Sequence, residues 1–340
     1  METPAELDFP AFEPHPCLRN AKAMTVVGTW RRPGQARLVK AAERCIVRSD
    51  DGSGLRVEID RPPSPGPSGQ RRGMVILHGL VGSSEAVYVL GTARKARDAG
   101  FVVARMNARN CGDTTALARG HYNGAETADV AAVARYLHEQ EGVDSVHLVG
   151  FSVGANQVTR LLWRWGAEVP EWIAGVSLVS PCLDFAVPAD TLPTSRFGRV
   201  VQWRFLRELG EIVRQRHRLD GGDFDITPLA RIRTVREFDD HFTAPLGGFG
   251  HANAYYREAC MAGRLDFLAT PTLLLHAHDD PLVPVSCLGL ESARGTPVRI
   301  ELTDAGGHVG WIGRAAAEGD ADRYWAENRV VQFARACLPG

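Results

Sequence analysis

In the run Leu148-Val149-Gly150-Phe151-Ser152-Val153-Gly154, an apolar strand end enters a Gly-x-Ser-x-Gly turn and leaves it as a helix. A serine hydroxyl is a poor nucleophile unless a sharp turn holds it exposed beside a base. The two glycines let strand and helix pass closely enough for such a turn, and the chemistry it serves is attack on an acyl carbonyl. The base and its orienting acid should follow in the chain order serine, acid, histidine. After the apolar run Thr272 to Leu275 comes His276-Ala277-His278-Asp279-Asp280-Pro281-Leu282-Val283-Pro284. Asp280 has the better register for the acid, with Asp279 as its rival, whose carboxylate would suit backbone N–H groups in the turn. After the last apolar run, His308 stands in Thr303-Asp304-Ala305-Gly306-Gly307-His308-Val309-Gly310. Glycines around a post-strand histidine suit a side chain that must project over a sheet edge. The other ten histidines lack that setting.

Acyl transfer builds an oxyanion, which preorganised N–H groups stabilise. The strand Met74 to Leu77 ends in His78-Gly79-Leu80-Val81-Gly82-Ser83-Ser84, so the Leu80 N–H is one candidate donor. The N–H of Val153, next after the serine, is the other.

The elements that must position these groups follow from periodicity. After a proline- and arginine-rich stretch read as an irregular arm over residues 1–40, strands are expected at 44–48 and 55–60. The pair Asp51-Gly52 marks a hairpin between them. The Pro/Gly/Ser run 62–73 reads as a loop. Then follow a helix over 87–99, a strand over 101–106, a helix over 126–141, the strand 145–151, a helix over 155–165 and the strand 173–179. The strands 272–275 and 298–302 and a helix over 320–336 complete the pattern. Such alternation makes an α/β fold with a mostly parallel sheet, helices on both faces and its site outside the carboxyl ends of the strands. About 90 residues interrupt the repeat, too many for a loop, and are expected to form a helical cap. The domain reading is therefore arm 1–40, core 41–180, cap 181–270 and core 271–340. Within the cap, Arg196, Arg199, Arg204, Arg207, Arg214, Arg216 and Arg218 share one helical segment. A solvated face is the plain explanation, and contact with an anionic membrane the sharper one.

Composition narrows the classes. The hydrophobic content of 44% suffices for a full core, and a net charge of −1 gives no footprint for nucleic acid. Seven scattered cysteines without C-x-x-C spacing read as reduced thiols of a cytoplasmic protein. The first residues lack the basic and apolar regions of a signal peptide, and no run reaches the length of a membrane span. Asp239, Asp240, His241, His251, His276 and His278 invite a metal reading. It is disfavoured, because convergence is not visible and Asp280 already has a role. Asp239 and Asp240 are expected to anchor the cap through hydrogen bonds or an arginine pair.

His78 to Ser84, Gly150-Phe151-Ser152-Val153-Gly154-Ala155-Asn156, Arg236-Glu237-Phe238-Asp239-Asp240, Thr243-Ala244-Pro245, Tyr255-Tyr256, Ala277 to Pro281 and Gly306 to Gly310 together resemble the YheT-type branch of the α/β-hydrolases. That branch includes bacterial esterases, yeast medium-chain acyltransferase/esterases and mammalian membrane-anchored phospholipases. The likeness extends into the arm, at Phe12 to Pro16 and Leu18-Arg19-Asn20. It implies an α/β-hydrolase fold, a carboxylic-ester hydrolase with Ser152, Asp280 and His308 as its triad, and no cofactor. The substrates expected are short- to medium-chain acyl esters, extending to lipids and phospholipids. The expected partner is a small ester, with peripheral membrane contact through the cap and no nucleic acid. Acyl transfer to an alcohol is the alternative, and a non-catalytic binding fold a more distant one. The chain departs from the branch at Asn107 to Gly112, at His121 to Gly124, and at Lys22 and Met24; the first two segments are expected to line loops above the sheet.

Overall fold

The computed structural model describes Pro4, residues 7–63 and residues 70–337. Eight strands form one sheet: β1 (Glu43–Arg48), β2 (Gly54–Asp60), β3 (Arg72–Leu77), β4 (Phe101–Met106), β5 (Ser145–Phe151), β6 (Ile173–Val179), β7 (Thr272–Ala277) and β8 (Val298–Thr303). Their order is β1-β2-β4-β3-β5-β6-β7-β8, antiparallel at β1–β2 and β2–β4 and parallel elsewhere, so β2 alone runs against the rest. The β1–β2 turn is the expected one: Gly52 takes φ +82° and Asp51 accepts from the Ser53 N–H at 2.8 Å.

The parallel strands are continuous apolar runs because helices cover both faces. Alternation along β3 shows the division: Val75 and Leu77 join one core cluster, Met74 and Ile76 the other. The first cluster includes residues of α4 (Ala128–Glu139) and α5 (Val153–Trp165); the second includes residues of α3 (Val87–Asp98) and α11 (Trp325–Ala336).

The arm is less irregular than its composition suggests. It holds α1 (Ala21–Gly28) and α2 (Gln35–Ala41), and the Asn20 carboxamide caps α1 by accepting from the Lys22 and Ala23 N–H groups at 3.1 Å. The loop read over 62–73 lies partly outside the described residues. The last helix starts at Trp325, not at residue 320. Asp322 instead accepts from the Tyr324 N–H at 3.0 Å, and the Asn328 amide bonds the Asp322 and Tyr324 carbonyls, fixing a turn where periodicity predicts helix.

Between β6 and β7 lie α6 (Ala186–Thr191), α7 (Arg196–Leu219), α8 (Val235–Phe238), a π-helical turn (Asp239–Thr243), α9 (Ala244–Leu246) and α10 (Ala252–Ala259). Leu209, Val213, Ile232, Phe238 and Phe242 give this segment a small apolar core of its own.

Candidate active site

Ser152 sits where β5 turns into α5, with φ 54° and ψ −117°. A side chain in this region costs on the order of 1–3 kcal/mol, so its surroundings must hold it there. The Ser152 N–H donates to the Val179 carbonyl at 3.0 Å, and the Ser152 carbonyl accepts from Ala155 at 3.1 Å and Cys182 at 3.2 Å. The flanking glycines are forced by close approach. A Cβ at Gly150 would lie 2.5 Å from the Ala155 Cα, and one at Gly154 would lie 2.4 Å from the His78 carbonyl oxygen.

Three side chains stand in a row. His308 Nε2 is 3.0 Å from Ser152 Oγ, and His308 Nδ1 is 2.7 Å from Asp280 Oδ2. Asp280 Oδ1 accepts from the Leu282 N–H at 2.8 Å and the Val283 N–H at 2.9 Å. Burial would raise the Asp280 carboxyl, but the His308 charge and hydrogen bond, with help from His276 and the Val283 N–H, hold it below the usual carboxylate range. Asp279 turns away and accepts from the Gly307 N–H at 2.8 Å. The two neighbouring aspartates thus separate by geometry: one meets the imidazole, the other ties down its loop.

The two expected oxyanion donors lie beside the serine. Gly79 passes close enough that a Cβ there would be 3.1 Å from the Ser152 Cβ, and Leu80, Ser152, Val153 and His308 line one cavity. No hydrogen-bond partner is found for the Leu80 or Val153 N–H among the described residues. The loop is held from below. His78 donates through Nδ1 to the Gly79 carbonyl at 2.7 Å and accepts at Nε2 from the Ala108 N–H at 3.1 Å, which assigns it the neutral Nδ1–H tautomer. Burial agrees, lowering His78 to about 4. The Tyr88 hydroxyl accepts from the Gly79 N–H at 3.0 Å. At the loop's far end, Asn107 accepts from the Ser84 N–H at 2.9 Å, and Arg105, ion-paired with buried Asp60, donates to the Ser84 carbonyl at 2.9 Å.

Sequence spacing does not reveal what holds His308. Its backbone N–H donates to Thr25 Oγ1 at 2.9 Å, so α1 of the arm supports the histidine loop. The Val309 N–H donates to Ser180 Oγ at 3.1 Å. Ser180, directly after β6, stands where sites gather in parallel sheets, which is the one signal that points to it. Thr25 gives none.

A cavity opens in front of Ser152. Its wall is mainly apolar: Phe185, Leu192, Phe205 and Leu209 come from the cap segment, Leu282 and Val283 from the loop after β7. Such a wall with few polar groups is the common form of a small-molecule site. Of the two departing segments, Tyr122 and Asn123 line the cavity, whereas Asn107 is spent on Ser84 and Arg109 on buried Asp129. Cys182 also lines it, but burial pushes its thiol well up, which leaves it protonated.

Asp239 and Asp240 hold the cap segment through hydrogen bonds. Asp239 accepts from the Tyr256 hydroxyl and Asp240 from the Ala252 N–H, both at 2.7 Å, while Arg236 pairs with Asp190. Among the described residues no group of three or more His, Cys, Asp or Glu is placed to hold a metal, so the six residues of that reading do not converge.

Asp239 also lines the cavity, and burial pushes its carboxyl up to about 6. An unfolded aspartate titrates near about 4, so the folded chain keeps this proton longer. The stability gained is complete below about pH 4 and is lost as pH rises through 6. Asp239→Asn removes this dependence. Wild-type stability relative to the variant should therefore fall by on the order of 2–3 kcal/mol from pH 4 to 7 in urea unfolding. A difference that stays flat with pH would contradict the assignment.

A family model described as alpha/beta hydrolase fold matches residues 74–312. The chain belongs to this family. Within the α/β hydrolases it falls in the YheT-type branch. It is 29% identical over 280 residues, 82% of this chain and 80% of the relative, to a protein named putative esterase YheT of Escherichia coli K12. It is 30% identical over 245 residues to a monoacylglycerol lipase of Saccharomyces cerevisiae, covering 70% of this chain and 54% of that one. A phospholipase ABHD3 of Mus musculus is 26% identical over 246 residues, 70% and 58% of the two chains. A solved esterase structure from Pyrococcus furiosus shares the fold, with TM-score 0.56 and 16% identity over 98% of this chain and all of that one. No described helix of this α/β hydrolase is long and apolar enough to cross a membrane.

Proposed function

We propose that this chain is a serine hydrolase of carboxylic esters with short- to medium-chain acyl groups, lipids and phospholipids among them. The observation that carries the reading is the Ser152–His308–Asp280 row at the wall of an apolar cavity. In this reading His308 Nε2 takes the Ser152 proton as Oγ bonds to the carbonyl carbon. The Leu80 and Val153 N–H groups hold the oxyanion, and the leaving alcohol departs with the proton from Nε2. Water, deprotonated by His308, then attacks the acyl-enzyme; the bond from the acyl carbon to Oγ breaks, Ser152 Oγ takes the proton back from Nε2, and the acid leaves.

Residues 181–270 act as the cap over the acyl chain, and the arginine-rich α7 is its point of peripheral membrane contact. The apolar cavity wall also supports transfer of the acyl group to an alcohol in place of water, with the same residues; the ratio of transfer to hydrolysis in added alcohol separates the two. A binding role has no use for a complete Ser–His–Asp row. Seven free cysteines fit a reducing cytoplasm.

The test is hydrolysis of nitrophenyl esters from two to about fourteen acyl carbons. Each methylene buried in the transition state contributes up to about 0.8 kcal/mol, so kcat/KM should climb roughly three- to fourfold per carbon until the cavity is full and then fall. A series flat from the shortest to the longest chain would contradict an acyl-binding role for the cavity.

A further inference from the structure

Two helices that touch the site each turn an unusual face to solvent. On α7, Arg196, Arg199, Val200, Trp203, Arg204 and Arg207 recur at helical spacing and are all exposed. Val200 is 65% and Trp203 62% exposed, although large apolar side chains on a helix ordinarily turn inward. On α1 and its first turn beyond, Lys22, Val26 and Trp30 form a second stripe, with Val26 45% and Trp30 62% exposed. The Lys22 ammonium lies 6.0 Å from the Phe197 ring centre, so the two faces adjoin.

Positive charge dominates this surface. No acidic residue occurs from 14 to 42 or from 191 to 207. Arg204 is paired with Glu208, but among the described residues Arg19, Lys22, Arg196, Arg199 and Arg207 have no ion-pair partner. Arg207 lies 5.7 Å from the Trp203 ring centre, which joins the cation to the apolar spot.

We propose that the joined faces of α1 and α7 are a docking surface for an anionic lipid bilayer. Indole and valine side chains enter the interfacial region while the surrounding cations meet phosphate headgroups, the combination that holds an amphipathic helix in a membrane surface. A second copy of the chain would bring the same positive charge against it. The proposal deepens the ester-hydrolase reading, because both helices also build the site: Thr25 of α1 bonds the His308 N–H, and Phe205 and Leu209 of α7 line the cavity. It extends the contact from the cap to the arm.

The experiment is sedimentation of the full chain with vesicles, using Ser152→Ala so that lipid is not consumed. Vesicles of roughly one-third phosphatidylglycerol in phosphatidylcholine should bind at least about tenfold more tightly than pure phosphatidylcholine, and high salt should weaken that binding. Two variants, Trp30→Ala/Trp203→Ala and Arg196→Glu/Arg199→Glu, should each lose about tenfold or more while keeping the thermal melt, since all four side chains are exposed. Binding that neither variant changes, or none to anionic vesicles at low salt, would overturn the proposal. So would a dimer in light scattering that the same variants dissolve, or an acidic protein partner that binds this surface while vesicles do not. Sedimentation does not read turnover, so an inactive wild type that still binds vesicles would count against the esterase reading alone.

Discussion

Ser152→Ala is expected to lower kcat for ester hydrolysis by at least about 10⁴-fold with little change in melting temperature. Ser152 Oγ is the atom 3.0 Å from the imidazole, and the Cys182 thiol in the same cavity is held protonated by burial. What survives the substitution is binding in the cavity and the two N–H groups proposed to hold the oxyanion, which supply no nucleophile. The fold should tolerate the change because among the described residues the Oγ bonds only His308, whereas the strained turn is held by the Ser152 backbone and the flanking glycines. Turnover within tenfold of wild type would remove Ser152 from the mechanism.

Asp280→Asn is expected to cost a similar factor, about 10⁴ in kcat, and Asp279→Asn less than about tenfold. The difference follows from which atoms each carboxylate serves. The Leu282 and Val283 N–H groups require an acceptor at the Oδ1 position of residue 280, so an asparagine there must place its carbonyl oxygen on them. Its NH₂ then faces His308 Nδ1, which must become an acceptor. The imidazole proton moves to Nε2, the nitrogen that has to take the serine proton, and the base is lost. Asparagine at 279 can still accept from Gly307 through its carbonyl oxygen, so the loop keeps its anchor. Equal losses in the two variants would mean that the acid has been misassigned.

The parts of the site that lay open in the sequence are those governed by local chain geometry. Gly150 and Gly154 flank Ser152 because backbone passes within reach of any Cβ there, and that need writes itself into five consecutive residues. The order of strands and helices was equally readable, since apolar runs such as Met74 to Leu77 belong to a sheet covered on both faces. Residue 279 and residue 280 could be ranked but not separated, because two adjacent aspartates in one turn differ only in what they face. The supports of the site were hidden. Thr25 meets His308 across 283 residues, and a threonine inside a short helix carries no mark of such a partner. Residues 320–324 misled the periodicity because side-chain bonds from Asp322 and Asn328 outcompete helix. Asp239 stood out as a charged residue in the cap, but only packing reveals that it lines the cavity in front of Ser152.

The most direct test of the account is mass spectrometry of the chain after reaction with a fluorophosphonate, which phosphonylates a serine only when a neighbouring base and an oxyanion site activate it. The account predicts a single adduct on the peptide that carries Ser152, absent in Ser152→Ala and formed at least about 10³-fold more slowly in His308→Ala. An adduct on a different residue, or a Ser152 that remains unmodified in the folded wild-type chain, would contradict it.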